Sequence, residues 1–382
     1  MRKIQMLVVV IALCFLGDTG LPQSKRHKRN VPLPTGRYRA KRIRLKGPTE
    51  IKDLKMRLLV TTYGDVSNPN GIAVGDDVIQ NFDLSPDGNT MVCTYFPAFL
   101  IVWDTHTGAR KKSIELDKAG FGDVAFSPDG TMFVTAPGNI TEEQESRSIR
   151  FWDAKTYKVI AKINSAGLVQ RVLFSPDGKS LAVVSDIESS DSDKIILELW
   201  DVQSKKLAAV QPAKGRSIDG DSLYTMSQIA FSPDSSKLAT ITKQTVEVWD
   251  LKTGEVVQTL QGHHKDVTGV WFSPDGRFLV STGEQPPAAP YKEPVGELII
   301  WNALNGQEVK TLPGYNYATF FPDGRLIASG NREGEDYSLI DIDKGSVISH
   351  FPQIGALRFS RNGKRAASYA DLVVIRTWEV MK

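Results

Sequence analysis

The chain has 382 residues, long for one ordinary compact domain, and its 41% hydrophobic and 24% charged content excludes bulk disorder. The only cysteines are Cys14 and Cys93, which excludes a disulfide framework and a cysteine-rich zinc site. The formal charge of +3 is small but unevenly distributed along the chain.

Arg2 and Lys3 precede an apolar stretch from Ile4 to Leu16, broken only by Gln5. That stretch is shorter than the ~20 residues a transmembrane helix needs, and its charged start fits an export signal within residues 1–21. No clear small-x-small cleavage site follows; candidates lie around Gly17 to Gly20. The expectation is an extracytoplasmic protein, periplasmic or secreted, with an uncleaved membrane anchor or a buried apolar strand as the alternatives. Residues 22–53 then form a basic arm, with ten Lys or Arg and no acid between Pro22 and Thr49, and with Pro22, Pro32 and Pro34. Such a segment repels itself and is expected to be an extended, flexible linker. Spacer is the default reading, contact with an anionic surface the second, and a nuclear-localisation run the third if export is wrong. With no aromatic beyond Tyr38 and an excess of acid behind it (43 acidic and 35 basic residues from 50 to 382), no specific nucleic acid is expected. Arg26-His27-Lys28-Arg29 also has the form of a processing site in a eukaryotic secretory pathway.

From residue 84 one phrase returns seven times: LSPDG at 84, FSPDG at 126 and 174, FSPDS at 231, FSPDG at 272, FFPDG at 320 and FSRNG at 359. A second phrase follows each: Trp103-Asp104, Trp152-Asp153, Trp200-Asp201, Trp249-Asp250, Trp301-Asn302, Ile340-Asp341 and Trp378-Glu379. Six of the seven tryptophans thus share one repeat position. A period near 40 to 45 residues with this signature points to propeller blades.

In SPDG the proline presets a turn, the aspartate hydrogen-bonds neighbouring backbone and the glycine closes the hairpin. Strands are expected on either side of it, as in Val124–Phe126 with Met132–Thr135 and Ile229–Phe231 with Leu238–Ile241. A third strand ends in Trp-Asp, as in Thr245–Trp249 and Leu298–Trp301, and a fourth follows turns such as Thr253-Gly254, as in Val256–Leu260. Such a sheet has two apolar faces and must stack on its neighbours, with each Trp burying ~150–250 Å². The seventh unit lacks a fourth strand at Lys382, and residues 54–62 are expected to supply it and close the ring. Eight blades remain an alternative if residues 36–62 hold further strands.

Residues 262–276, GHHKDVTGVWFSPDG, with Val248-Trp249-Asp250 before them and Trp301-Asn302 after, resemble WD40 repeats, and the resemblance covers about residues 54–382. It implies an all-β, seven-bladed β-propeller of four-stranded antiparallel blades, working as a monomeric, non-enzymatic platform that binds a protein partner. It also implies a hydrogen-bond network joining His263, a hydroxyl among Ser281 and Thr282, and Trp301. The family's Asp turn is replaced here by an insertion, the other blades lack the Gly-His pair, Ile340 replaces Trp, and Arg361-Asn362 replaces Pro-Asp.

In that arrangement the long segments Tyr63–Asp77, Pro137–Ser148, Asp186–Lys194, Gln211–Ser227 and Gly283–Gly296 share one face, opposite the tight turns. Recognition is expected on the loop-rich face, with Tyr95, Phe96, Tyr224, Tyr291 and Tyr315 as candidate partner-binding anchors. The acids Glu142, Glu143 and Glu145, and Asp186, Glu188, Asp191 and Asp193, read as solvated loops; the second run lacks the EF-hand glycine and glutamate, so no metal is expected. The five histidines form no catalytic spacing with Ser and Asp, and no cofactor is implied. Asn139-Ile140-Thr141 is a glycosylation sequon only in a eukaryotic secretory route. The alternative function is a propeller enzyme or small-ligand binder using the central channel.

Overall fold

The computed structural model describes residues 50–51, 56–63, 79–95, 99–115, 121–137, 147–187, 194–213, 229–285, 295–329, 337–351, 357–371 and 374–381. The expected export segment, the arm up to residue 49 and the sequon lie outside these residues.

Each repeat folds as an antiparallel meander because both of its tight turns satisfy their own polar groups. In the first turn the serine hydroxyl donates to the aspartate two residues on, as in Ser127 Oγ to Asp129 at 2.6 Å and Ser273 Oγ to Asp275 at 2.6 Å. The same carboxylate accepts the backbone N–H beyond it, from Thr131 and Arg277 at 3.0 and 3.1 Å. In the second turn Asp104 accepts the N–H of His106 and Thr107, and Asp250 those of Lys252 and Thr253. Gly108 and Gly254 complete this turn with φ of 70° and 72°. Tyr157 and Lys205 take the same left-handed conformation in the second and third blades.

The strands group into seven sheets. Six have four strands each; the first is Ile79–Leu84, Thr90–Tyr95, Phe99–Asp104 and Arg110–Glu115, and the fifth is Val267–Phe272, Phe278–Gln285, Val295–Asn302 and Glu308–Pro313. In the seventh, Leu357–Phe359, Arg365–Asp371 and Val374–Val380 are completed by Met56–Tyr63, which pairs antiparallel from Met56↔Val380 to Tyr63↔Val374. The expected closure at 54–62 is therefore present, shifted by one or two residues, and the architecture is a seven-bladed β-propeller. Glu50–Ile51 adds a short fifth strand to that sheet, pairing with Arg57 and Met56, inside the region read as arm.

One irregularity recurs in every blade. The outer strand carries an extra residue opposite the Trp position, between Val102/Trp103, Leu199/Trp200, Val248/Trp249 and Ile300/Trp301, for example. The closing strand repeats it between Leu58 and Val60, opposite Trp378. A bulge of this kind steepens the local twist, so the N-terminal strand reproduces the geometry of a fourth strand.

The core lies between blades. Val92, Leu100 and Val102 of the first pack on Phe126, Phe133 and Trp152 of the second, and Val280, Leu298 and Ile300 of the fifth on Ala318, Leu326 and Ile340 of the sixth. Trp103, Trp152, Trp301 and Trp378 are buried, whereas Trp200 and Trp249 are half-buried. Packing is thus their common role, and its extent varies around the ring.

Candidate interaction face and central channel

At four blades the indole N–H donates to a hydroxyl on the neighbouring strand: Trp152 to Thr135 and Trp249 to Thr240 at 2.9 Å, Trp301 to Ser281 at 2.8 Å and Trp378 to Ser368 at 2.9 Å. In the third blade Val183 occupies the hydroxyl position, and Trp200 donates to Glu198 at 3.4 Å instead.

The fifth blade extends this link. His263 Nε2 lies 2.7 Å from Ser281 Oγ, and His263 Nδ1 lies 3.1 Å from Glu297 Oε2. The carboxylate can only accept from Nδ1, so Nε2 accepts the Ser281 hydroxyl proton, and Ser281 Oγ in turn accepts the Trp301 indole N–H. The hydroxyl is that of Ser281, not Thr282, and Glu297, at the end of the insertion, supplies the carboxylate that the replaced Asp turn would have given. Ser, His and Glu here have the distances of a nucleophilic triad. Their side chains are sealed, with both the His263 and Glu297 side chains 0% exposed, and burial lowers the His263 pKa against the opposing pull of Glu297. The network ties strands of the fifth blade together.

The first strands of successive blades adjoin one another around the axis. On four adjoining blades these inner strands carry charge. Asp83 accepts the Leu84 N–H at 2.9 Å and, across the blade boundary, the Phe126 N–H at 2.7 Å. Asp123 accepts the Val172 N–H of the third blade at 2.8 Å, Arg171 Nη1 at 3.3 Å and the Asn81 side chain. Arg358 of the seventh blade donates to the Phe82 carbonyl and lies 3.9 Å from Asp83. Burial pushes the Asp83 carboxyl up, opposed by Arg358, and pushes the Arg171 guanidinium down, opposed by Asp123. On the fifth and sixth blades the lining is aromatic. Trp271 lies over Gly269, where a Cβ would meet its ring at 2.3 Å, and meets Tyr317 edge-on at 6.1 Å. The Tyr317 hydroxyl donates to the Leu357 carbonyl at 3.1 Å.

Of the five candidate anchors, Phe96, Tyr224 and Tyr291 lie outside the described residues. Tyr95 ends the second strand of the first blade, 1% exposed within the core beside Ile79 and Phe99. Its position before a loop suggested access, but the ring turns inward and is not offered to a partner. Tyr315 is half-buried against the interface of the fifth and sixth blades, with its hydroxyl donating to Ser338 at 3.0 Å. The structure does not bring the two together. Among the described residues no group of His, Cys, Asp and Glu is arranged for a metal, and no helix is long and apolar enough to cross a membrane. Of the acids read as solvated loops, Asp186 alone is described; it is buried, accepting from Gln170 at 3.0 Å.

Seven blades, each bulged opposite the Trp position, four of them with a Trp-hydroxyl link between neighbouring strands, and a ring closed by an N-terminal strand form a WD40-like β-propeller. Residues 254–285 match the family described as WD domain, G-beta repeat. The chain is 24% identical over 306 residues to the nuclear distribution protein PAC1 of Arthroderma otae, covering 72% of this chain and 62% of that protein. It is 23% identical over 302 residues to a guanine nucleotide-binding protein subunit beta of Oryza sativa subsp. indica, covering 75% and 76%, and 26% identical over 216 residues to the protein HIR1 of Yarrowia lipolytica, covering 50% and 19%. The match thus spans less than two thirds of the PAC1 and HIR1 relatives.

Proposed function

We propose that the chain is a non-enzymatic scaffold that holds a protein partner on the loop-rich face of an exported propeller. The observation that supports this is the contrast between the two ends of the blades. At one end, turns such as 127–131 and 250–254 are short and internally hydrogen-bonded. At the other, strand ends are separated by longer stretches of sequence, such as 64–78, 214–228 and 286–294. Segments of that kind vary without disturbing the ring, which suits them to recognition. A relative named as a subunit of a guanine nucleotide-binding protein fits an assembly role.

Pull-down from the native extracytoplasmic fraction, followed by titration of the recovered partner, tests this reading. Tyr224→Ala with Tyr291→Ala is expected to weaken binding by more than ~2 kcal/mol while the melting temperature stays within experimental error of the parent. Normal binding by that variant, with loss on altering the opposite face, would place the partner elsewhere. Export rests on Arg2, Lys3 and the apolar run to Leu16. Fractionation that finds the full-length protein free in the cytoplasm, with an intact N-terminus, removes it.

A further inference from the structure

The face carrying the SPDG turns has its own opening onto the ring axis, a depression of about 400 Å³. Six of the seven blades contribute to it, through Phe126, Phe174, Phe231, Phe272 and Phe359 and the prolines of the adjoining turns. The repeat itself makes this rim apolar, because the phenylalanine of five phrases, Leu84 of the first, and the prolines of the first five phrases fall at the mouth. The seventh phrase departs from the rule: Arg361 stands where the first six have proline. Its backbone turn is intact, with the Gly363 N–H donating to the Ser360 carbonyl at 2.9 Å and Asn362 docking on the first blade through the Pro86 and Asp87 carbonyls. The substitution therefore changes the surface and leaves the turn unchanged.

Among the described residues lining the depression, Asp83 and Arg361 are the only charged groups. Asp83 is already engaged by two backbone N–H groups and by Arg358. Arg361 is exposed, and no described residue provides it with a hydrogen bond or ion pair. It also borders the neighbouring recess at Asp129 and Asp177, but those carboxylates are turned onto Ser127 and Thr131, and onto Ser175 and Lys179. An apolar ring with one unpaired guanidinium complements an apolar side chain with a carboxylate beside it. Because the walls come from nearly the whole ring, entry is along the axis and end-on, and a chain end carries both groups on a single residue. The volume is near the low end for ligand sites, enough for a terminal residue and its neighbour.

We propose that this mouth binds the C-terminus of a partner protein ending in a large apolar residue, with the terminal α-carboxylate paired to Arg361. The site is separate from the loop-rich face and does not depend on it.

The test uses immobilised full-length protein and pools of degenerate octapeptides ending in Leu or Phe, one pool as free acids and one amidated, with retained peptides quantified by mass spectrometry. A third, amidated pool carries an internal Glu-Leu pair. The free-acid pool should be retained about tenfold or more over both others, as loss of a charge-assisted pair implies. Arg361→Pro restores the repeat residue and should fold with an unchanged melting temperature while abolishing the preference; Arg361→Lys should keep part of it. Equal retention of acid and amide, preference for the internal pair, no retention of any pool, or an undiminished preference in Arg361→Pro would each overturn the proposal. Tyr224→Ala with Tyr291→Ala should leave peptide retention intact, which separates this site from the loop-face reading.

Discussion

Trp103 and Cys93 stand in the relation that Trp152 has to Thr135 and Trp301 to Ser281: the tryptophan pairs with Met91, and Cys93 lies two residues further along the same strand. The thiol does not replace the hydroxyl, and Trp103 Nε1 is buried with no hydrogen-bond partner among the described residues. Cys93→Thr is expected to stabilise the protein by ~1 kcal/mol by supplying that acceptor, whereas Cys93→Ala, which supplies none, should bring no gain. Urea denaturation of the three proteins checks this.

Asp123 links three blades, so its removal should be felt beyond its own. Asp123→Ala leaves the Val172 N–H, the Asn81 amide and the Arg171 guanidinium without their shared acceptor. A loss of ~3 kcal/mol or more is expected in a denaturant titration. Asp123→Asn keeps an acceptor for Val172 and should lose less.

The repeated tryptophans should differ in the cost of truncation. Trp378, 0% exposed and paired with Leu58 of the closing strand, should cost ~3 to 5 kcal/mol on replacement by Ala. Trp249 is only half-buried and should cost less, with the lost bond to Thr240 as part of it. Equal costs would show that burial is not what ranks them.

Stability should fall with acidity in two stages. The His263 pKa is lowered by folding, so the unfolded chain takes up this proton first; its contribution is complete above ~6.5 and declines as pH falls below that value. The turn aspartates follow. Hydrogen bonds from Thr107, Thr156, Ser204 and Thr253 lower the carboxyls of Asp104, Asp153, Asp201 and Asp250, with Asp104 at about 2. Their contribution is present above ~4 and is lost as pH falls through these depressed values. Melting curves from pH 8 to 2 should show both declines, and His263→Gln should remove the first alone.

The repeat phrases made the ring legible because each carries a local necessity: a proline and glycine for the turn, a tryptophan for the interface between blades. The closing strand was visible from its composition and from the missing partner of Trp378. The charged lining was not, because Asp83, Asp123, Arg171 and Arg358 come from four blades and meet only when the ring forms. Glu297 was hidden for a related reason, since it pairs with His263 through strand register across an insertion that spacing does not define. Tyr95 was misread because a position beside a loop does not fix the direction of a side chain. The bulge opposite the Trp position left no trace in composition, as the extra residue has no common character: Lys111, Ala208, Val257 and Leu59 each fill it.

The pairing of Met56–Tyr63 with Val374–Val380 joins segments more than 300 residues apart. A ribosome makes Met56–Tyr63 long before Val374–Val380, so six blades can assemble as they emerge while the seventh waits for its partner strands. Until then, the edge of Met56–Tyr63 that will meet Val374–Val380 is unpaired and open to other chains. The interval of greatest vulnerability to misassembly is therefore the time taken to translate the residues between the two, and slower elongation across them would prolong it.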